Sequence, residues 1–233
     1  SHGENVGLVG ESGCGKSTLA RSILALDGLQ GGDIRLNGHV FSSAGEGPHP
    51  ELRARMQVVF QDPYGSFNPR HRVRRLVTEP FHLVRDPPRG AELERRIDRA
   101  LTEVGLASSD ADKYIHEFSG GQRQRIAIAR ALIIEPALIV LDEAVSALDV
   151  SIRAQILDLL AGLSDRLDLS YLFISHDLSV VRAITDRVLV MKDGKIVEQG
   201  ETETVFRNPQ HPYTQKLVAA TPSLEAALAA PAD

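Results

Sequence analysis

The sequence has very little cysteine and no long hydrophobic run. Cys14 is the single cysteine among 233 residues, which excludes an internal disulfide and any metal or iron–sulfur site built from several cysteines. No apolar stretch approaches the roughly 20 residues that cross a bilayer, because the run 137–141 stops at Asp142 and Glu143. We therefore expect a protein of a reducing compartment, by default the cytoplasm, without a membrane span of its own.

An excess of basic residues is also missing. The chain has 26 Lys and Arg against 31 Asp and Glu, a formal net charge of -5, whereas nucleic-acid-binding domains carry a positive balance. We expect no nucleic-acid partner. A length of 233 residues with 42% hydrophobic content suits one substantial core, or one core with a smaller lobe attached.

Short apolar segments alternate with helical patterns along most of the chain. Strands are predicted at 6–9, 33–36, 56–60, 137–141, 170–174, 188–191 and 195–197, and helices at 16–26, 122–135, 150–167 and 178–185. The segment 137–141 is apolar at every position, which is typical of a strand buried on both faces of a parallel sheet. The alternation predicts a doubly wound α/β fold.

The middle of the chain has a different pattern, rich in Arg and Glu and helical in character. We predict a single domain over residues 1–233, with a core lobe of about 1–72 and 135–205, a mostly helical lobe of about 73–134 and a C-terminal extension of about 206–233.

A glycine-rich loop separates the first predicted strand from the first helix, the place where backbone N–H groups converge on a phosphate. The residues assigned to nucleotide binding are Gly10, Ser12, Gly13, Cys14, Gly15, Lys16, Ser17 and Thr18. Lys16 is expected to reach the β- and γ-phosphates, Ser17 to ligate magnesium, and Thr18 to contact the α-phosphate. The loop predicts binding and hydrolysis of a nucleoside triphosphate.

Two acids end the buried strand. Carboxyl ends of neighbouring parallel strands share one crevice, so Asp142 and Glu143 are expected to point toward the phosphates. Asp142 suits the magnesium shell, and Glu143 is placed to activate a water as general base. The alternative is a solvated pair at a strand end.

A second possible anion site precedes the helix of the middle segment. Ser119, Gly120, Gly121 and Gln122 offer a hydroxyl and free N–H groups at a helix start. Taken alone, this pattern is more often a plain helix cap.

Together with Gln61, residues 146–149 and His176, these motifs resemble ABC-type ATPases over nearly the whole chain. Within that superfamily, segments 59–70, 116–125 and 208–215 resemble the ATP-binding subunits of bacterial dipeptide and oligopeptide importers. The resemblance implies an α/β P-loop NTPase fold with a mostly parallel sheet core and a helical signature lobe. Because family members usually begin earlier, it also implies a truncated N-terminal antiparallel edge.

The resemblance also implies roles for single residues. Gln61 resembles the residue that senses magnesium and the attacking water, and His176 resembles a switch histidine at the γ-phosphate. Ser119 and Gly121 would act on ATP held by a second domain, with Asp149 at the seam between the two. The implied catalytic set is Lys16, Gln61, Glu143 and His176, and the implied magnesium set is Ser17, Gln61 and Asp142.

The implied partners are a second ABC ATP-binding domain, two transmembrane permease subunits and, indirectly, a periplasmic solute-binding protein. The implied cofactors are ATP and Mg2+, and the implied location is the cytoplasmic face of a bacterial inner membrane. Segment 63–70 is expected to receive a helix from the membrane subunits. Alternatives are an importer ATPase for nickel or glutathione, a soluble ABC ATPase acting on DNA or ribosomes, and a regulatory module that binds nucleotide without hydrolysis.

Overall fold

The computed structural model describes residues 3–62 and 65–220. The strands are β1 Val6–Val9, β2 Asp33–Leu36, β3 His39–Ser43, β4 Met56–Phe60, β5 Leu138–Asp142, β6 Ser170–Ile174, β7 Arg187–Lys192 and β8 Lys195–Glu201. The α-helices are α1 Lys16–Ile23, α2 Pro50–Arg53, α3 Val73–Val77, α4 Gly90–Glu103, α5 Gly120–Leu132, α6 Val150–Leu167, α7 Leu178–Ile184, α8 Thr202–Arg207 and α9 Pro212–Ala220. Short 3-10 helices cover Glu79–Leu83, Ser108–Asp112 and Ile115–Glu117.

The main sheet has six strands in the order β4-β5-β6-β1-β7-β8. All neighbouring pairs are parallel except β7 and β8, which form an antiparallel hairpin. The prediction of a mostly parallel α/β sheet is confirmed. Because β4, β5, β6 and β1 are neighbours, the loops that follow them open at the same sheet edge.

The sheet is buried on both faces, as the apolar run of β5 predicted. Leu141 and Phe173 are fully buried in the cluster that includes α5 and α6. Val140 and Ile174 are equally buried on the opposite face, in the cluster that includes α1. Burying each such side chain contributes about 1.5–3 kcal/mol, so this pair of strands is a rigid base for the loops at its end.

Two parts of the fold differ from the prediction. Strand β3 was not predicted, and it pairs with β2 in a separate antiparallel sheet. Its turn consists of Asn37 and Gly38, both with positive φ (51° and 79°), which is the Asn-Gly signal of a tight hairpin. Helices α8 and α9 were also not predicted. The predicted receiving segment 63–70 lies only partly within the described residues, which resume at residue 65.

The helices between the two halves of the sheet have their own apolar contacts. Leu101 of α4, Ile115 of the third 3-10 helix and Ile126 of α5 are fully buried in the larger core cluster. Helix α5 also packs on β4 and α6, so it joins the helical region to the sheet. Across the described ranges, none of the helices combines the length and the apolar character that a bilayer crossing requires.

Candidate functional site

The glycine loop follows β1 and leads directly into α1. Gly13 and Gly15 have φ of 82° and 108°, a backbone region that other residues rarely adopt. At Gly10 a side chain is excluded by space, because an added Cβ would lie 2.3 Å from the carbonyl oxygen of Met191. The glycines therefore give the loop its curvature and its close contact with β7.

Lys16 lies inside this loop. Its side chain is buried, and its Nζ donates hydrogen bonds to the carbonyl oxygens of Gly10 at 2.8 Å and Glu11 at 3.0 Å. Two carbonyl oxygens thus hold the ammonium group at the loop, next to the N-terminus of α1. A positive charge and a helix N-terminus together favour a phosphate.

A cavity of about 790 Å³ opens beside the loop, at the ends of β4, β5 and β6. Its lining residues are Ser12, Ser17, Phe60, Gln61, Asp62, Gly65, Ser66, Asp142, Glu143 and His176. Six of the residues predicted to form the site line this one cavity: Ser12, Ser17, Gln61, Asp142, Glu143 and His176. The register explains this convergence, because Phe60, Asp142 and Ile174 are aligned across adjacent strands.

Glu143 and His176 form a pair in this cavity. The Nδ1 of His176 lies 2.9 Å and 3.0 Å from the two carboxylate oxygens of Glu143. Glu143 has a φ of 51°, and its N–H donates to the carbonyl oxygen of Ile174 at 2.9 Å. This left-handed turn is uncommon for a glutamate and fixes the direction in which the chain leaves β5.

Asp142 is affected by its surroundings. Burial raises the pKa of Asp142, the neighbouring charge of Glu143 raises it further, and Lys16 opposes both effects. The ionised carboxylate of Asp142 therefore has too little positive charge near it, and a bound cation would supply that charge.

The donors around Asp142 fit magnesium. Asp142 offers a carboxylate, Ser17 a hydroxyl and Gln61 an amide oxygen, all hard oxygen ligands on the same cavity wall. Among the described residues there is no group of three His, Cys, Asp or Glu that could hold a metal alone. Mg2+ takes one or two carboxylates and completes its shell with water and substrate phosphates, so the single carboxylate of Asp142 with two neutral oxygen donors suits it.

The remaining predicted residues lie outside the cavity lining. Ser119 caps α5: its Oγ accepts from the N–H of Gln122 at 3.3 Å, and the Gln122 Oε1 accepts from the N–H of Ser119 at 3.0 Å. Ser119, Gly120 and Gln122 are exposed, and Asp149 is exposed at the start of α6. The plain capping interpretation of this helix start is thus realised.

Arg153 and Asp177 were not predicted, although they connect parts of the site. The Arg153 guanidinium donates to the Asp177 carboxylate at 3.1 Å and to the carbonyl oxygen of Leu148 at 3.3 Å. Asp177 caps α7 through the N–H of Ser179 at 3.0 Å and directly follows His176. An Asp before a helix is a recognisable cap signal, whereas nothing in the sequence indicates the partner of Arg153.

Two family models match the sequence. The model described as ABC transporter matches residues 1–146. The model described as Oligopeptide/dipeptide transporter, C-terminal region, matches residues 197–231.

Curated relatives agree with these matches. The dipeptide transport ATP-binding protein DppF of Haemophilus influenzae is 47% identical over 222 residues, which are 95% of this chain and 68% of that protein. The glutathione import ATP-binding protein GsiA of Escherichia coli K12 is 51% identical over 223 residues, 96% of this chain and 36% of that protein. The chain thus spans about two thirds of one relative and about a third of the other.

Solved structures share the fold. CbiO1 from Clostridium perfringens, part of the ABC transporter complex cbiONQ, is 31% identical with a TM-score of 0.79, covering 89% of this chain and 81% of that one. The ATP-binding cassette MJ0796, a dimer in a post-hydrolysis state with ADP and Pi, is 28% identical with a TM-score of 0.73, covering 87% of both chains.

Proposed function

The chain belongs to the ABC transporter family as a transport ATPase domain, and we propose from this that it powers the import of dipeptides or oligopeptides into a bacterial cell. The observation that supports the ATPase site best is the single cavity lined by Ser17, Asp142 and Glu143 beside the loop of Lys16. The match of residues 197–231 to the C-terminal region of oligopeptide and dipeptide transporters supports the peptide substrate.

We assign the hydrolytic step to the paired residues of the cavity. Glu143 accepts a proton from the attacking water, and the His176 Nδ1–H donates to its carboxylate and keeps it in one orientation. Lys16 is held at the loop by two carbonyl oxygens, and its third ammonium N–H donates to a phosphate oxygen of ATP. When bound by Ser17, Gln61 and Asp142, Mg2+ supplies positive charge to those oxygens. The carboxyl end of β5 thus leads to both the base and a metal ligand.

A second domain completes the site in this proposal. Ser119 and Gly120 are exposed at the start of α5. Next to Asp149, Val150 is 81% exposed, an unusual position for a valine at a helix start. We propose that two such domains meet at these surfaces, with the γ-phosphate contacted by Ser119 and Gly121 of the opposite domain. ATP then favours the closed pair, and hydrolysis releases it.

The proposed partners are two transmembrane permease subunits at the cytoplasmic face of the inner membrane, fed by a periplasmic solute-binding protein. Residues 65–70, which follow the Gln61 loop, are the proposed contact for the permease. Glutathione is a second candidate solute, favoured by the 51% identity to a glutathione import protein.

Uptake and co-purification test this proposal. Cells that carry the intact transporter are expected to take up a labelled dipeptide, and Glu143→Gln in this domain is expected to abolish that uptake. Glutathione uptake with no dipeptide uptake would select the second candidate. Purification with nucleic acid or ribosomes, and without multi-spanning membrane proteins, would refute the importer assignment.

A further inference from the structure

The C-terminal segment reaches the phosphate loop. Tyr213, the second residue of α9, is only 7% exposed, and its hydroxyl oxygen accepts a hydrogen bond of 2.9 Å from the N–H of Glu11. Glu11 is the loop residue directly after Gly10, and it lies 202 positions away from Tyr213 along the chain. A motif of the C-terminal extension therefore contacts the backbone of the nucleotide site.

The peptide group that Tyr213 contacts is the one that also holds Lys16. The N–H of Glu11 and the carbonyl oxygen of Gly10 belong to one planar peptide, whose N–H and C=O point in opposite directions. Tyr213 binds the N–H end, and the Lys16 Nζ donates to the oxygen end at 2.8 Å. The hydroxyl group of Tyr213 therefore helps to set the orientation of this peptide. The peptide in turn helps to set the position of the Lys16 ammonium group.

Tyr213 is itself held in place from two directions. The Glu198 carboxylate of β8 accepts from the N–H of Gln210 at 2.8 Å and from the N–H of His211 at 3.0 Å. Burial raises the pKa of Glu198, but these hydrogen bonds outweigh it and keep the pKa below its usual value. The Lys192 Nζ lies 5.3 Å from the centroid of the Tyr213 ring. The phenol is therefore fixed to the β7–β8 hairpin.

That hairpin already forms the outer wall of the phosphate loop. The N–H of Gly194, at the hairpin turn, donates to the carbonyl oxygen of Cys14 at 2.9 Å. Met191 leaves no room for a side chain at Gly10. Tyr213 of α9 adds a further contact next to this hairpin. Among the described residues outside the loop, it is the one whose side chain forms a hydrogen bond with the loop backbone.

We propose that Tyr213 is a positioning residue for the triphosphate: through the Gly10–Glu11 peptide it sets where Lys16 stands and how widely the loop opens. The C-terminal extension is then part of the nucleotide site, and a partner or ligand that moves residues 208–213 alters nucleotide affinity. The inference rests on the proposed function, because it requires the loop to bind a nucleotide.

Tyr213→Phe in the full chain is the direct test, because it removes the hydroxyl and keeps the ring. Mg-ADP and Mg-ATP are titrated by calorimetry, and ATPase rates are measured across ATP concentrations. Loss of one hydrogen bond predicts an increase of about threefold to tenfold in Kd and KM. At saturating ATP, kcat should change by less than about twofold, because the residue does not contact the reacting atoms.

Tyr171→Phe provides the matched control. Tyr171 is also a buried tyrosine, and its hydroxyl donates to a backbone oxygen, that of Leu160, at 3.1 Å within the core. Its loss should lower the melting temperature in a similar way and leave the nucleotide Kd unchanged. An equal increase in Kd for both variants, or none for Tyr213→Phe, overturns the proposal.

Nucleotide binding by the wild-type chain separates failure of this proposal from failure of the proposed function. A wild-type chain that binds neither Mg-ADP nor Mg-ATP contradicts the proposed function itself. If Tyr213→Phe does not fold, Glu198→Gln tests the same connection, because an amide keeps one acceptor for the two N–H groups of residues 210 and 211. A Kd equal to that of wild type for Glu198→Gln would then overturn the proposal, and an increase would support it.

Discussion

The Nδ1 of His176 lies within 3.0 Å of both carboxylate oxygens of Glu143, so one ring nitrogen spans the carboxylate. An ionised carboxylate only accepts hydrogen bonds, which makes the His176 Nδ1 the donor. The glutamate side chain is 23% exposed and the histidine 60%, so the acid is the sheltered member of the pair. The contact joins the ends of β5 and β6 and restrains the proposed base.

Glu143→Gln is expected to reduce kcat for ATP by about 10²- to 10⁴-fold, because an amide cannot accept the proton of the attacking water. Nucleotide affinity should persist, since Lys16 and the loop are unchanged. Steady-state ATPase assays and a Mg-ATP titration measure the two effects. Glu46→Gln, at an exposed position outside the cavity, is the control. Unchanged turnover in Glu143→Gln would contradict the general-base assignment.

His176→Ala is expected to reduce kcat by about tenfold to a hundredfold, because Glu143 loses the hydrogen bond of His176 and its carboxylate can rotate. The melting temperature should hardly change, given the exposure of the ring. His39→Ala, at an exposed position of β3, controls for loss of an imidazole. A rate equal to that of wild type would refute the orienting role.

Asp142→Asn is expected to stabilise the protein in the absence of metal. The pKa of Asp142 is raised in the folded protein. Above that pKa the ionised carboxylate opposes folding, and this opposition decreases as the pH falls through and below the pKa. At pH 7 the amide removes this cost, and we expect the melting temperature to rise by about 2 °C.

Added Mg2+ and nucleotide should reverse this order, because a charged carboxylate binds the ion more strongly than a neutral amide. The wild type is then stabilised more than Asp142→Asn. The Mg2+ affinity of the wild type should decrease as the pH is lowered, because the carboxylate becomes protonated. Thermal melts with and without Mg-ADP at several pH values measure both effects, with Asp158→Asn at an exposed position of α6 as control. A lower melting temperature for metal-free Asp142→Asn would contradict the burial argument.

Sequence reasoning succeeded where one local pattern determines one structure. The apolar run of β5 has only one way to be buried, and it places Asp142 and Glu143 at the sheet edge. The loop with Gly13 and Gly15 likewise requires the φ values that it shows. Both features depend on residues that are neighbours in the chain, so the order of residues alone predicts them.

The missed features depend on residues that are distant in the chain. The contact of Arg153 with Asp177 and that of Tyr213 with Glu11 join side chains and loops that only the folded sheet brings together. No periodicity or spacing carries such pairings. The Asn37-Gly38 hairpin is different, because its turn signal was present in the sequence.

Arg130 of α5 connects the loop 65–67, which follows Gln61, to the helical region. Its side chain is 13% exposed, its Nη2 donates to the Ser66 Oγ at 3.0 Å, and its guanidinium lies 4.6 Å from the Phe67 ring centroid. Burial lowers the pKa of Arg130, with the charge of Glu79 opposing this effect, so the cation depends on these few contacts.

Arg130→Met is therefore expected to reduce the free energy of unfolding by about 1–3 kcal/mol, because the polar groups of the 65–67 loop lose a buried donor. Arg99→Met on α4 is the control: that side chain is 61% exposed, and its ion pair with Glu135 should contribute less than about 1 kcal/mol. Urea unfolding measures both variants. An equal loss of unfolding free energy in the two variants would show that Arg130 acts as an ordinary surface charge. In that case apolar contacts such as that of Phe67 hold α5 and the loop 65–67 together.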